Sequence, residues 1–264
     1  MSAISLRGAR LSYGDRVLWD GLDLDVEPGE FLAVLGPNGS GKTSLMRVLL
    51  GLQQLSSGSV TVAGGNHAIG YIPQQRALEQ SMTLRGRDLV GLGLDGYRWG
   101  LGLRNRRERR TRVDEAIAAV GASRYADAPL GLLSGGEQQR LRVAQALVGD
   151  PRVMLCDEPL LSLDLANQRV VSELIDKRRR EADTAVLFVT HELNPVLPLV
   201  DRVLYLVGGR FRVGKPDEVM NSATLSELYR TPVEVVRVRD QILVVGAGAC
   251  EEQTHHLASS EAAS

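Results

Sequence analysis

From residue 3 to residue 35 apolar and polar side chains alternate (ISLRGARL, LDLDVE) and then give way to an unbroken apolar run, FLAVL. Alternation places one face of a pleated strand on a core and the other in water, so this stretch predicts several strands. Lys42–Leu50 reads as a helix closed by Gly51, and SVTVAG and IGYI as short strands. From about residue 82 to 150 the period becomes helical. Thr83 is the expected cap of one helix, and Val113, Ile117 and Val120 face one way on another, with Gly121 after it. Val153–Cys156 and Ala185–Val189 are continuous apolar runs, as expected of strands buried on both faces of a mixed or parallel sheet. Residues 201–245 return to short strands with a helix near 224–230. The remainder, AGACEEQTHHLASSEAAS, is small and polar and reads as a disordered tail.

Length and charge narrow the classes. The chain has 264 residues, enough for one large or two small domains with a packed core. Lys and Arg total 31 against 32 Asp and Glu, which argues against a nucleic-acid partner. Two cysteines make no disulfide framework, and Cys156 lies in an apolar run where a buried, inert thiol is expected. No apolar stretch approaches the roughly 20 residues of a membrane span. MSAISLRGARLSYG carries no signal-peptide core. The expectation is a cytosolic, reduced protein. Arg104, Arg106, Arg107, Arg109, Arg110 and Arg112 form a basic run. It reads as the solvated start of a helix, or as a surface drawn to anionic headgroups or an acidic partner.

Candidate chemistry begins at GPNGSGKT, residues 36–43, after an apolar strand and before a helix. That context makes G-x-x-x-x-G-K-[ST] a phosphate cradle. Gly36, Gly39 and Gly41 let backbone N–H groups curl around phosphates; Lys42 sets an ammonium on their oxygens, and Thr43 offers a hydroxyl to Mg²⁺. VMLCDEP ends an apolar strand in two carboxylates. Asp157 fits an acid supporting Mg²⁺, and Glu158 a group polarising the attacking water. His191 follows the strand AVLFVT, at the strand end where open α/β sheets bind ligands, and is expected near the terminal phosphate or the water. A second anion-ready turn lies in LLSGGEQQR, where Ser134 is a good helix cap ahead of Gly135 and Gly136.

GPNGSGKT, LSGGEQQR, CDEP, LSLD and VTHE, in this order over residues 3–207, resemble the ATP-binding cassette of ABC transporters. The resemblance implies a P-loop NTPase core with a mixed sheet, an N-terminal antiparallel β subdomain and a helical signature subdomain at about 82–150, in a nucleotide-binding domain over 1–245. It implies an ATPase that binds ATP and Mg²⁺. Cassettes of this family pair head to tail, so Ser134, Gly135 and Gly136 would close over the partner copy's ATP, with Asp164 of LSLD across the interface. Gly36, Pro37, Asn38, Gly39, Ser40, Gly41, Lys42, Thr43 and Ser44 would hold the chain's own nucleotide. Tyr13 would lie under the adenine, and Gln74 would reach Mg²⁺ and the water. LSLD stands where S-A-L-D is common, and Glu137 where Gln is frequent.

The resemblance further implies integral membrane permease subunits, an extracytoplasmic solute-binding protein, and a place on the inner face of the cell membrane. IGYIPQQ and ELYRTPVEVVRV resemble cassettes of zinc/manganese importers, although the Asp and Phe frequent after Gln74 in those cassettes are missing from RALEQSMTL. Siderophore and haem importer cassettes are the runner-up. A soluble ABC protein acting on DNA or ribosomes would usually carry two cassettes or a long coiled-coil insertion, and this chain has one cassette and no such insertion. His255 and His256 lie in the polar tail without further metal ligands nearby.

Overall fold

The computed structural model describes residues 1–74, 83–95 and 106–246. The Arg104 end of the basic run, Cys250, and the tail with His255 and His256 fall outside them. Two long strands, β1 (Ile4–Tyr13) and β2 (Arg16–Val26), lead to β3 (Phe31–Leu35), α1 (Lys42–Leu49), β4 (Ser57–Val62) and β5 (Ile69–Ile72). Then come α2 (Gly86–Asp95), α3 (Arg106–Ala119), α4 (Gly135–Leu147), β6 (Val153–Asp157), α5 (Leu165–Ala182) and β7 (Ala185–Val189). The last part holds β8 (Arg202–Val207), β9 (Arg210–Gly214), α6 (Pro216–Val219), α7 (Ser222–Tyr229), β10 (Val233–Val238) and β11 (Gln241–Gly246).

The central sheet has the order β5-β6-β7-β3-β8-β9, parallel except for β9. A smaller antiparallel sheet, β2-β1-β4, covers one of its faces, and β10 and β11 form a separate hairpin. The continuous apolar runs have a plain cause. Phe31, Ala33, Leu35, Met154, Cys156, Val186 and Phe188 enter a core shared with α2, α3, α4 and α5. Their alternating neighbours Leu32, Val34, Val153, Leu155, Leu187 and Val189 enter a second core with α1 and the antiparallel sheet. A strand covered on both faces has no polar side, so the period-2 signal vanishes. The Cys156 thiol is fully buried and burial pushes its pKa well up, so it is inert as expected.

Val113, Ile117 and Val120 are all buried, as their spacing predicts. The expected cap at Thr83 is wrong. α2 starts at Gly86, and the N–H groups of Asp88 and Leu89 turn back to the carbonyl of Arg85. Arg85 itself is caught in a bridge with Pro129, which sets the entry of the chain. Gly86 must follow, because a Cβ there would come within 2.6 Å of Leu141 Cδ1. A tertiary contact, not a side-chain cap, therefore fixes this helix start.

Gly70 in β5 lies against the backbone of α4: an added Cβ would overlap the Ala146 carbonyl and come within 3.0 Å of Pro151 Cγ. Gly70→Ala is expected to cost about 1–3 kcal/mol, since neither neighbour is a flexible side-chain end. The urea midpoint should fall with the m value unchanged; an unchanged midpoint would show that β5 and α4 separate freely.

Candidate functional site

The C-terminal ends of β3, β5, β6 and β7 deliver the site. β3 runs into the glycine loop 36–41, whose φ angles at Gly36, Gly39 and Gly41 are 139°, 75° and 103°. A Cβ at Gly36 would fall on the Leu206 carbonyl, and one at Gly41 would come within 2.9 Å of the Trp19 indole nitrogen. Trp19, fully buried on β2, thus sets the floor of the loop. Lys42 Nζ donates to the carbonyls of Gly36 at 2.6 Å and Pro37 at 3.0 Å. Burial holds this ammonium below the usual lysine range, against the opposing pull of Glu158 and Asp157. Tyr13, Arg16, Asn38, Gly39, Lys42, Thr43 and Ser44 line a cleft of about 460 Å³ that extends to Gln74 and Glu158. Tyr13, at the rim, is 46% exposed, and its hydroxyl donates to Gln53 Oε1 at 3.3 Å.

Asp157 closes β6 and is 2% exposed. Burial, and then the adjacent Glu158, push its carboxyl above the usual range; a Thr43 hydrogen bond, Lys42 and Arg47 act the other way. Asp157 Oδ1 has no hydrogen-bond partner among the described residues. A buried carboxylate oxygen without a donor, next to a threonine hydroxyl, suits a hard divalent cation that takes oxygen ligands. The residues present fit Mg²⁺.

Glu158 follows at φ 50°, a left-handed conformation that costs a non-glycine residue about 1–3 kcal/mol. Its carboxylate is enclosed. Gln74 Nε2 donates to Oε2 at 2.6 Å, and His191 Nε2 pairs with Oε1. Gln74 and His191, expected on the nucleotide, the cation or the water, meet instead on this one side chain. Two donors on separate strand ends leave Glu158 little rotational freedom, the usual preparation for a positioned base.

The second turn lies apart. Ser134 caps α4 in a reciprocal box: Ser134 N and Oγ donate to Glu137 Oε2 at 2.9 and 2.8 Å, and Glu137 N returns to Ser134 Oγ at 3.4 Å. Glu137 in place of Gln therefore has a structural use. Ser134 and Gly135 are exposed, while a Cβ at Gly136 would come within 2.6 Å of the Asn167 side chain. Asn167 in turn donates to Asp164, the cap of α5, from its backbone N at 2.8 Å and from Nδ2 at 2.9 Å. These bonds hold the Asp164 carboxyl below its usual range. The signature turn and the Asp164 loop are thus one connected unit.

Comparison with known proteins agrees with this geometry. Residues 19–161 match the family model of ABC transporters. The chain belongs to the ABC transporter family. Its relatives include the aliphatic sulfonates import ATP-binding protein SsuB 1 of Nocardia farcinica, 34% identical over 97% of this chain and 98% of that protein. The zinc import ATP-binding protein ZnuC of Paramagnetospirillum magneticum is 35% identical over 83% of this chain and 79% of that one. An uncharacterized ABC transporter ATP-binding protein, YvrA of Bacillus subtilis, is 35% identical over 88% of this chain, which spans only 54% of YvrA's length. Among solved structures, a proposed metal-chelate type ABC transporter in an inward-facing conformation superposes with a TM-score of 0.79 at 26% identity, covering 92% of this chain and 96% of that one. The ATP-binding cassette MJ0796, dimeric, post-hydrolysis and bound to ADP and Pi, gives 0.67 at 27% identity, covering 80% and 98%. The P-loop core, antiparallel sheet and signature helices are those of an ABC cassette, and the cassette is an ATP-binding ATPase. Arg16, Trp19 and Asn167 are site neighbours that sequence reading passed over; the one local hint was Arg16, three residues after Tyr13.

The charge state of Asp157 makes a stability prediction. A carboxyl whose folded pKa is raised binds its proton more tightly in the native state, so its ionisation costs stability as pH rises through the raised value. Asp157→Asn should therefore raise the Tm of the nucleotide-free cassette at pH 7, and by much less at pH 4. Thermal unfolding at both pH values checks the sign. A Tm lowered equally at both would refute the buried-charge account.

Proposed function

We propose that this cassette hydrolyses ATP at sites formed between two copies paired head to tail and drives a separate membrane permease. The observation that carries the reading is Glu158, held by Gln74 and His191 beside Asp157 at the mouth of the phosphate cradle. Gly36, Pro37, Asn38, Gly39, Ser40, Gly41, Lys42, Thr43 and Ser44 bind the phosphates through backbone N–H groups and the ammonium, and Tyr13 stacks on the base. Thr43 and Asp157, with Gln74, would hold Mg²⁺, which would supply positive charge against the phosphates when bound. Glu158 accepts the proton of the attacking water, and His191 keeps the carboxylate oriented. Ser134, Gly135 and Gly136 present N–H groups at the exposed start of α4 to the other copy's nucleotide, with Asp164 alongside. The dimeric state of MJ0796 supports the pairing.

None of the described helices is long and apolar enough to cross a membrane; the reading of a separate integral membrane permease is supported by the relatives named as import ATP-binding proteins. The relatives named as import ATP-binding proteins support an importer, working with an extracytoplasmic solute-binding protein, and a cassette on the cytoplasmic face of the membrane. Its cargo is a divalent transition metal, zinc or manganese. Two relatives named for zinc import and the metal-chelate type structure support this; the sulfonate-named relative marks the competing cargo class.

Glu158→Gln should keep ATP binding and lose about 10² to 10⁴ in turnover, leaving an ATP-dependent dimer visible by size-exclusion chromatography. Ser134→Arg should abolish turnover while the isolated chain still binds ATP. Near-normal hydrolysis in the first, or lost monomer binding in the second, would refute the corresponding role. For the cargo, deleting the chain in its host should lower cell-associated zinc or manganese by mass spectrometry, restored by wild type but not by Lys42→Ala. Unchanged zinc and manganese with reduced iron–siderophore uptake would move the assignment to the siderophore class.

A further inference from the structure

The loop that carries His191 is fastened at several points. Thr190 Oγ1 donates to the Glu192 carbonyl at 2.9 Å and accepts from Glu192 N at 3.1 Å, while Leu193 and Val196 are buried in the core. Between them stands Asn194, partly buried, and its carboxamide reaches a distant part of the chain. Nδ2 donates to the Ile242 carbonyl at 3.1 Å, and Oδ1 accepts from Ile242 N at 2.8 Å. Both backbone groups of Ile242 thus point away from β10 and are taken by one side chain. In an antiparallel pair every second residue directs its N–H and C=O outward. Asn194 grips that outward edge of β11 as a neighbouring strand would.

The other end of the hairpin is anchored independently. Val233 is buried in the helical-side core, and Ser226 and Ser222 of α7 bond the backbone of Val233 and Val235. A continuous path therefore runs from α7 through β10 and β11 to Asn194, and three residues back along the loop to His191 and Glu158.

We propose that Asn194 is a positioning residue that ties the C-terminal hairpin to the His191 loop, so that the hairpin governs how Glu158 is held. The effect on turnover rests on Glu158 receiving the water's proton; the mechanical tie does not. Asn194 does not line the cleft at the phosphate cradle and acts through His191. Anything that shifts the hairpin changes the hydrolysis rate without changing the phosphate cradle.

The test uses the full chain, labelled with ¹⁵N-histidine, with the His191 ring signals assigned by their loss in His191→Ala. Asn194→Ala removes both bonds from the loop side. Ile242→Pro removes the N–H from the hairpin side, at an edge position where no β10 bond is lost. Ile242→Ala keeps both backbone groups and is the control for packing. The first two variants should shift the His191 ring resonances and lower kcat roughly 10-fold, as expected when a base is misplaced by a fraction of an ångström, with ATP affinity within about twofold. Ile242→Ala should leave the His191 signals in place. Unmoved His191 signals in Asn194→Ala, an unchanged kcat, or an equal shift in Ile242→Ala would each overturn the proposal. If Ile242→Pro does not fold, Asn194→Ala against Ile242→Ala still decides it. Full turnover in Glu158→Gln would sink the base assignment alone, because the His191 shift is read without hydrolysis.

Discussion

The parallel register of β5, β6, β7 and β3 fixes where chemistry is available in this chain. Ile72 pairs with Cys156, Asp157 with Val189, and Val34 with Val189, so four strand ends finish at one level. β3, β6 and β7 are buried on both faces, and a slip of one residue would exchange the side chains of two separate cores. Register is therefore strongly held, and with it the relative height of Gly36, Gln74, Asp157 and His191. Those residues lie far apart in sequence and come together because their strands run the same way. The antiparallel β9 at the edge brings no residue to the site.

Much of this was legible in the residue pattern, for identifiable reasons. The cradle at 36–43 is local: one strand, one loop and one helix supply nearly all of it. The strands at Val153 and Ala185 are recognisable because double-sided burial leaves no polar position. Thr83 misled because a cap is recognised by residue type, whereas α2 is started by the bridge between Arg85 and Pro129. Gln74 and His191 stand out in the sequence by their motifs, but their shared partner Glu158 depends on side-chain directions that spacing does not contain. The bonds of Arg16 to the Gly39 carbonyl at 2.9 Å and of Asn194 to Ile242 were invisible for the same reason, since their partners lie 23 and 48 residues away; Arg16 had only its closeness to Tyr13 as a hint.

Small amide side chains act as connectors where helices and strands meet. Asn167 fills the space that a bare Gly136 leaves, accepts from Arg140 at 3.4 Å and donates to Asp164, so the starts of α4 and α5 are joined. Asn194 does the same between a loop and a strand edge. Asn194 satisfies both backbone groups of Ile242, which a longer or charged residue would leave unpaired, and a buried unpaired group costs about 1–3 kcal/mol. Connections of this kind carry displacement well because bonding on both sides of one planar group removes its freedom to turn.

Unfavourable terms gather where the strand ends meet. Asp157 keeps a carboxylate oxygen out of water with no donor among the described residues, and Glu158 beside it occupies a left-handed backbone conformation. Burial, and then the neighbouring Glu158, raise the cost of ionising Asp157. The double-sided burial of β6 and β7 holds both in place regardless, since neither can leave without opening two cores. A cation bound at Asp157 would relieve the first of these costs directly, because its charge would stand in for a donor there. Ligand binding and folding stability are therefore coupled through this residue: the same carboxylate that weakens the nucleotide-free cassette makes its binding of a charged ligand favourable.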